Sequence, residues 1–196
     1  MPKNHDDKLT DISTRPTRRD QDLSHLEIST SRLQIRAVGR QDLGLLASLF
    51  QDPEVQRHFV IEGMTAEGEL AWALMELRAG TGGYFRIDIK GDPPHSAGVI
   101  VFWRVDPSEI GRRDDKFFAR FGLALHSSLR GRGFGTEATE AILTFLTSTL
   151  GVDHCVARCN TDNVASHAVL KKTGFSQVLV TDDSNRLFFV RPAFPE

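Results

Sequence analysis

The sequence is short of cysteine, tyrosine and long apolar runs, and it carries little net charge. No apolar segment approaches the roughly 20 residues that a helix needs to cross a bilayer. Residues 1–25 lack the apolar centre of a signal peptide. A formal net charge of -2 gives no electrostatic basis for nucleic-acid binding. We therefore expect a cytoplasmic protein without membrane or nucleic-acid partners.

The two cysteines, Cys155 and Cys159, fall in one strand-like run. At about 3.3 Å per residue they would lie about 13 Å apart on one face of the strand, too far for a disulfide. No histidine is spaced from them as in a zinc site. We expect both thiols to be reduced and buried, and we expect no metal site.

The 196 residues suffice for one domain and are few for two. Residues 1–25 are polar and of mixed charge, which is typical of a disordered arm, and residues 26–196 are expected to form a single domain. Hydrophobic periodicity predicts an α/β fold, a sheet with helices on its faces. Strands are expected at 33–37, 84–90, 97–104, 116–125 and 154–159, helices at 42–50, 65–79, 136–146 and 163–173, and a hairpin at 178–190.

A glycine-rich loop, Arg130–Thr136, joins the strand that ends near Leu125 to the next helix. Glycine lets backbone approach a ligand closely, and a helix N-terminus offers unpaired N–H groups with partial positive charge. The loop therefore predicts a phosphate or pyrophosphate site, to which Arg130 and Arg132 add charge-assisted contacts. On spacing alone, a tight strand-to-helix turn without a ligand stays an open alternative.

Two well-known phosphate loops do not fit this segment. It lacks the Gly-Lys-Ser/Thr ending of a nucleotide P-loop. A dinucleotide fingerprint follows the first strand of its unit and has an acidic residue after the next strand. Here the loop comes late in the chain, and the next predicted strand is followed by Asn160. The expected ligand is a phosphate compound of another kind.

The loop resembles the signature of the GNAT superfamily of acetyltransferases. Arg130-x-x-Gly133-x-Gly135 is similar to the family pattern Gln/Arg-x-x-Gly-x-Gly/Ala, which holds the pyrophosphate of coenzyme A. The longer run Gly131–Ala138 is similar to the form found in the branch that acetylates the N-termini of ribosomal proteins. Further segments match that branch in the same order: Thr30–Leu33, Asp52–Val55, Asn163–Ser166 and Leu170–Phe175.

The resemblance implies a mixed, mostly antiparallel sheet in which two strands splay apart at the end of 116–125. The pantetheine arm of acetyl-CoA, the implied co-substrate, would lie in the splay and bond its backbone as an added strand does. The implied cofactor-binding residues are Leu123, Ala124, Leu125, Arg130, Gly131, Arg132, Gly133, Phe134, Gly135, Thr136, Asn160, Asn163 and Ser166.

Acetyl transfer requires a neutral amine, stabilisation of a developing oxyanion and a proton for the departing thiolate. In the family a backbone N–H of the splayed strand, here about Leu125, serves the oxyanion. Many members protonate the thiolate from a tyrosine in the second motif, but Tyr84, the single tyrosine, lies far upstream. Ser166 matches the serine of the ribosomal-protein branch and is the candidate acid. Alternatively, Ser166 caps its helix or touches pantetheine without a catalytic role.

Glu137 and His126 are the candidates for a general base. Glu137 falls in the first turn of the loop helix, where a carboxylate also suits the helix dipole without any catalytic role. His126 follows the splayed strand, and histidine changes charge near neutral pH, but it also fits a solvated turn. Asp88 and Glu62 are weaker candidates that would position a water molecule. A peptide α-amine, with a reference pKa near ~8, needs no strong base.

The expected protein is an acetyl-CoA-dependent N-acetyltransferase that acts on a primary amine. A protein N-terminus, a polyamine and an antibiotic amine are all open as acceptors, with contacts expected from Arg57, His58, Phe59 and Trp103. A catalytically silent acyl-CoA-binding module is the main alternative. A nucleotide or nucleic-acid binder is a third, which the net charge disfavours, and a homodimer is open.

Overall fold

A computed structural model describes residues 21–59, 65–106, 116–178 and 186–192 of the chain. Its centre is an eight-stranded sheet with the strand order β1-β2-β3-β4-β5-β6-β8-β7. The strands are β1 (Glu27–Ser29), β2 (Leu33–Ala37), β3 (Gly82–Ile89), β4 (His95–Val105), β5 (Phe118–Leu125), β6 (His154–Asn160), β7 (Ser176–Val178) and β8 (Arg186–Pro192). The helices are α1 (Leu43–Phe50), α2 (Pro53–His58), α3 (Ala66–Ala79), α4 (Phe134–Ser148) and α5 (Val164–Lys172).

All strand pairs in this sheet are antiparallel except β5 with β6, which is parallel. The predicted α/β fold with a mixed, mostly antiparallel sheet is confirmed. Within the ranges that the structure describes, no helix is both long enough and apolar enough to cross a membrane.

The parallel pair β5–β6 is short, and the two strands then separate. They pair only from Phe118 opposite His154 to Arg120 opposite Val156. Beyond that point β5 stays paired with β4 as far as Leu125, and β6 stays paired with β8 as far as Asn160. The two strands therefore splay apart over their last residues and leave a gap in the middle of the sheet.

Helices cover both faces of the sheet, because neighbouring residues of a strand point to opposite sides. Phe85 stacks on Phe102 at 5.1 Å between ring centroids, and Phe102 contacts Phe145 of α4 at 6.3 Å. On the opposite face, the Tyr84 ring lies 6.3 Å from Phe50 of α1 and 6.0 Å from Trp72 of α3. Aromatic packing thus joins helices to each face of the sheet.

The cysteines behave as predicted. Cys155 and Cys159 are free and buried in the core. Burial raises the pKa of Cys155 to about 12 and that of Cys159 to about 11. Both groups are therefore protonated thiols at neutral pH.

Helix α2 lies between the helices predicted at 42–50 and 65–79, where no helix was predicted. Asp52 forms its N-cap, where the carboxylate accepts hydrogen bonds from the N–H groups of Glu54 and Val55. Pro53 occupies the first helical turn, where its missing N–H costs nothing. Six residues are too few to show a helical period in the sequence, so only the cap and the proline signalled this helix.

The N-terminal boundary also differs from the expected start of order near Leu26. Leu23, inside the predicted arm, is 1% exposed, and its N–H donates to the Leu77 carbonyl at 2.7 Å. Among the described residues, packing therefore begins at Leu23. Residues 1–20 lie outside the described residues, as do 179–185 in the predicted hairpin, whose strands β7 and β8 do pair. The single domain at 26–196 stays a prediction.

Candidate active site

A cleft of about 420 Å³ occupies the gap between β5 and β6. The glycine-rich loop and the start of α4 border one end, α5 borders one side and α2 the other. Its lining is largely apolar, with polar groups from the loop and the two helices. The lining residues include Glu54, His58, Gly122, Leu123, Ala124, Leu125, Arg130, Gly131, Gly133, Gly135, Thr136, Cys159, Asn163, Ser166 and Lys172.

The glycine-rich loop has the backbone conformation that an anion site requires. Gly131 and Gly133 have φ angles of 74° and 83°, in the left-handed region that favours glycine. Gly133 is the N-cap of α4 and offers no side chain to its first turn. The first N–H groups of a helix have no partner within the helix, so those of α4 need an acceptor from outside. This geometry suits a phosphate oxygen.

Gly135 has a different role from the other two glycines. A Cβ at this position would lie 3.0 Å from Leu123 Cδ2 and 3.5 Å from Leu125 Cδ1. Its missing side chain therefore lets the first turn of α4 approach β5 closely. The third glycine of the motif sets the distance between the helix and the gap.

Alternate residues of β5 present their backbone to the gap. The N–H of His126, the residue after β5, donates to the carbonyl of Ala97 in β4 at 2.9 Å. Because the direction alternates along a strand, the N–H and C=O of Ala124 also face β4, whereas those of Leu123 and Leu125 face the gap. Of the three predicted β5 residues, Ala124 thus lines the cleft with its side chain only.

Arg130 is a structural tie as well as a cleft residue. Its Nε donates to the Leu125 carbonyl at 3.0 Å, and its Nη2 donates to Asp52 Oδ2 at 2.9 Å. The guanidinium therefore joins the end of β5 to the N-cap of α2. Since Asp52 offsets its charge, the attraction for an anion rests mainly on the backbone amides.

Arg132 and Phe134 are placed differently from the prediction. The ring of Phe134 is buried, with the guanidinium carbons of Arg32 and Arg132 at 4.7 Å and 5.2 Å from its centroid. Neither side chain is among the residues that line the cleft in the described part of the chain. Any contact of Phe134 with a phosphate would come from its N–H.

Glu137 is engaged by the turn between β1 and β2. Its Oε1 accepts hydrogen bonds from Thr30 Oγ1 at 2.5 Å, Ser31 Oγ at 3.1 Å and the Arg32 N–H at 3.0 Å. Its Oε2 accepts one from Arg32 Nε at 2.6 Å. Burial raises the pKa of this carboxyl, but the hydrogen bonds outweigh burial and lower it to about 2. This arrangement favours a tether between the turn and α4 over a general base.

We expect Glu137→Gln to leave kcat within about threefold of the wild type, since a tether takes no part in proton transfer. The folded pKa of Glu137, about 2, lies below its ordinary 4.5, so its stabilisation is present above pH 4.5 and is lost as the pH falls towards 2. Urea unfolding at pH 6 and pH 3 should show a smaller acid loss in the variant. A large fall in kcat with an intact fold would restore the general-base role.

Ser166 lies in the first turn of α5, beside the cleft. It lines the cleft, and its N–H donates to the Asn163 side chain at 3.0 Å. Asn163, the N-cap of α5, therefore caps this helix. Within the described residues the Ser166 hydroxyl makes no hydrogen bond, so the capping alternative for its side chain has no support.

Asn160, an expected cofactor contact, and His126, a candidate base, have side chains outside the described cleft lining. The Asn160 side chain donates to the Arg57 carbonyl at 3.0 Å, and the backbone carbonyl of Asn160 lies 3.1 Å from His167 Nε2. His126 is half-buried, and neither residue is part of the described cleft lining. Asn160 instead joins β6 to α2 and α5.

The weaker candidates for positioning water or contacting the acceptor either pack against other residues or lie outside the described residues. Asp88 pairs with Arg86 Nε at 2.7 Å. Trp103, an expected acceptor contact, packs edge-on against Trp72 with 6.5 Å between ring centroids and does not line the described cleft. Glu62 lies outside the described residues.

His58 and Phe59, predicted as acceptor contacts, do line the cleft. The His58 side chain is 15% exposed, and its Nε2 lies 3.4 Å from Glu54 Oε2. Phe59 lies so close to β5 that a Cβ at Gly122 would be 3.1 Å from its ring. The sequence prediction missed the pairing of Glu54 with His58, because it did not place them one helical turn apart.

Comparisons with known proteins agree with this geometry. The family model described as Acetyltransferase (GNAT) domain matches residues 32–176. The chain is 32% identical over 155 residues to the Uncharacterized N-acetyltransferase YjdG of Bacillus subtilis (strain 168). This match covers 76% of this chain and 88% of the relative. The chain is 23% identical to a second such protein of that organism, YnaD, over 76% of this chain and 82% of the relative.

Among solved structures, RimL, a ribosomal L7/L12 α-N-protein acetyltransferase in complex with coenzyme A, superposes with a TM-score of 0.69. The match has 18% identity and covers 85% of this chain and 98% of that one. An acetyltransferase of Salmonella typhimurium that modifies the N-terminal serine of 50S ribosomal subunit protein L7/L12 superposes with a TM-score of 0.67. This match has 19% identity and covers 85% of this chain and 99% of the Salmonella chain. Identities this low establish the fold alone.

Proposed function

Because the chain belongs to the GNAT family of acetyltransferases, we propose that it transfers the acetyl group of acetyl-CoA to a primary amine by direct attack in a ternary complex. The acceptor is a peptide N-terminus or a small-molecule amine. The observation that carries the proposal is the cleft itself, in which a splayed strand and the start of α4 direct unpaired backbone groups at one continuous space.

The backbone around the cleft fits the parts of acetyl-CoA. The N–H groups of 131–136 hold the pyrophosphate, with the partial positive charge of the α4 N-terminus behind them. The gap-facing N–H and C=O of Leu123 and the N–H of Leu125 bond the pantetheine arm as an added strand does, since the Leu125 carbonyl already accepts from Arg130. The thioester, at the end of that arm, reaches the inner end of the gap near Gly122.

The chain's own groups then serve the transfer at the inner end. A gap-facing N–H of β5 stabilises the charge that develops on the carbonyl oxygen. The Ser166 hydroxyl, which has no partner in the described protein, donates to the departing sulfur. Two structural neighbours named for N-terminal acetylation of ribosomal protein support a peptide α-amine as the acceptor.

We expect Ser166→Ala to lower kcat about 10- to 100-fold while the dissociation constant of acetyl-CoA changes less than about twofold. The reason is that the hydroxyl acts on the leaving sulfur and not on the bound carrier. Steady-state kinetics and calorimetry separate the two quantities. Ser176→Ala, at an exposed position of β7, is the control. An unchanged kcat in Ser166→Ala would remove the acid role.

An amine panel tests the function directly. Release of free thiol from acetyl-CoA is followed with a peptide that begins with serine, with a polyamine and with an aminoglycoside, each against a blank without amine. We expect amine-dependent thiol release for at least one class. Binding of acetyl-CoA without thiol release for any amine would instead favour the silent acyl-CoA-binding module.

A further inference from the structure

A histidine with charged neighbours on two elements stands at the inner end of the cleft. His58 is the last residue of α2 and lines the cleft. Glu54, one helical turn earlier, places Oε2 3.4 Å from His58 Nε2. Asp162, in the turn between β6 and α5, places Oδ1 3.8 Å from His58 Nδ1. The imidazole is therefore flanked by a carboxylate on each side.

Phe59, the neighbour of His58, packs on Gly122 of β5, and His58 itself contacts Asn160, the last residue of β6. The strands begin to splay after Arg120, so Gly122 marks the inner end of the gap, and the loop at 131–136 marks the outer end. A carrier anchored by its phosphates at the outer end presents its reactive terminus at the inner one. His58 thus lies on the side of the cleft where the amine must meet the thioester.

The hydrogen-bonding neighbours assign the tautomer of the neutral imidazole. Asn160 Nδ2 lies 3.3 Å from His58 Nδ1 and is a donor only, so Nδ1 must be the unprotonated nitrogen. The ring proton then sits on Nε2 and faces Glu54. Asn160 also donates to the Arg57 carbonyl at the shorter distance of 3.0 Å, so it can release Nδ1 without losing its other bond. The lone pair of Nδ1 is available for a proton.

We propose that His58 Nδ1 accepts the proton that the acceptor ammonium must lose before it attacks, an assignment that rests on the proposed function. The ammonium gives one proton to Nδ1 and becomes a neutral amine. The amine nitrogen forms a bond to the acetyl carbon while the carbon–sulfur bond breaks. The Ser166 hydroxyl donates its proton to the sulfur, and the second proton lost by the nitrogen replaces it on the Ser166 oxygen. The imidazolium releases its own proton to solvent, so one proton is produced per turnover.

The charges around His58 suit this role. Asp162 Oδ2 pairs with Arg57 at 2.5 Å, which leaves Oδ1 facing Nδ1. The imidazolium would then have a carboxylate opposite each nitrogen, Glu54 at Nε2 and Asp162 at Nδ1. Because Arg57 offsets the charge of Asp162, the attraction for the incoming ammonium rests mainly on Glu54. Glu137, with its acceptor positions filled, and His126, outside the described cleft lining, do not meet these conditions.

The test is His58→Gln, assayed with an amine that the wild type acetylates. We expect kcat to fall about 100-fold with an unchanged dissociation constant for acetyl-CoA. The pH profile of kcat/KM should differ between the wild type and the variant, in which only the ionisation of the amine should remain. His95→Gln, at the exposed start of β4, is the matched control and should keep the wild-type profile.

Glu54→Gln tests the flanking carboxylate as a positioning group. Removing this carboxylate leaves Nε2 without the partner that orients the ring, so kcat should fall about 10-fold while the dissociation constant of acetyl-CoA is unchanged. An unchanged rate and profile in His58→Gln would overturn the assignment, as would loss of acetyl-CoA binding in that variant. A wild type that binds acetyl-CoA but acetylates no amine would instead overturn the proposed function, and this assignment with it.

Discussion

Gly131→Asp is expected to weaken acetyl-CoA binding at least about 100-fold, equivalent to about 2.7 kcal/mol, while the protein stays folded. The substitution places a carboxylate beside the amides that would hold the pyrophosphate, so like charges repel. Nothing lies within 4 Å of a Cβ built at Gly131, and its φ of 74° is one that aspartate tolerates better than most residues. Calorimetric titration with acetyl-CoA measures the effect.

Gly151→Asp is the matched control for this substitution. Gly151 has a φ of 69° and follows the far end of α4, and a Cβ added there would also have nothing within 4 Å. Gly133 is a poorer choice, because a Cβ there would lie 3.3 Å from Arg32 Nη2, which would pair with the new carboxylate. Equal acetyl-CoA affinity in the Gly131 and Gly151 variants would refute the loop as the pyrophosphate site.

Asp42→Asn should lower the free energy of unfolding by about 3 kcal/mol, because it removes the counter-charge of Arg36 and one of the two carboxylates that pair with Arg86. Asp42 is fully buried. Its Oδ1 accepts from Arg36 at 2.8 Å and Arg86 at 2.9 Å, and its Oδ2 accepts from Arg36 and the Gly39 N–H, both at 2.8 Å. This network fixes the start of α1, and through α1 the position of α2 beside the cleft.

The dependence of stability on pH is a second test of the Asp42 network. Burial raises the pKa of Asp42, but its bonds from Arg36, Gly39 and Arg86 outweigh burial and lower it below the ordinary 3.8. Its contribution is therefore present above pH 3.8 and is lost as the pH falls through the folded pKa. Asp88→Asn, which affects only a pair with Arg86, should cost less than about 1 kcal/mol. Equal urea-unfolding losses in the two variants would contradict this account.

Local sequence signals predicted most of the elements correctly. Thr65 caps α3, where its side chain accepts from the Gly68 N–H, and Gly80 ends the helix with a φ of 73°. Asn163 caps α5, and Gly174 follows it with a φ of 82°. In each case the side chain or the missing side chain acts on backbone only a few residues away, so the sequence contains the whole interaction.

The functional roles of charged residues were harder to predict, because their partners are distant in sequence. Glu137 suits a helix N-terminus on local grounds, and only the fold brings Thr30 and Arg32 to it. Arg130 was expected to hold phosphate, but Asp52 shares its charge. The direction of the Ala124 backbone depends on the register between β4 and β5, which periodicity alone does not give.

The central claim is that backbone amides at 131–136 hold the pyrophosphate of acetyl-CoA while its pantetheine arm fills the gap between β5 and β6. A crystal structure of the wild-type protein with acetyl-CoA is the most direct test. We expect diphosphate oxygens within hydrogen-bonding distance of those amides and pantetheine bonded to Leu123 or Leu125. Diphosphate bound elsewhere, with the loop amides facing only solvent, would contradict the claim.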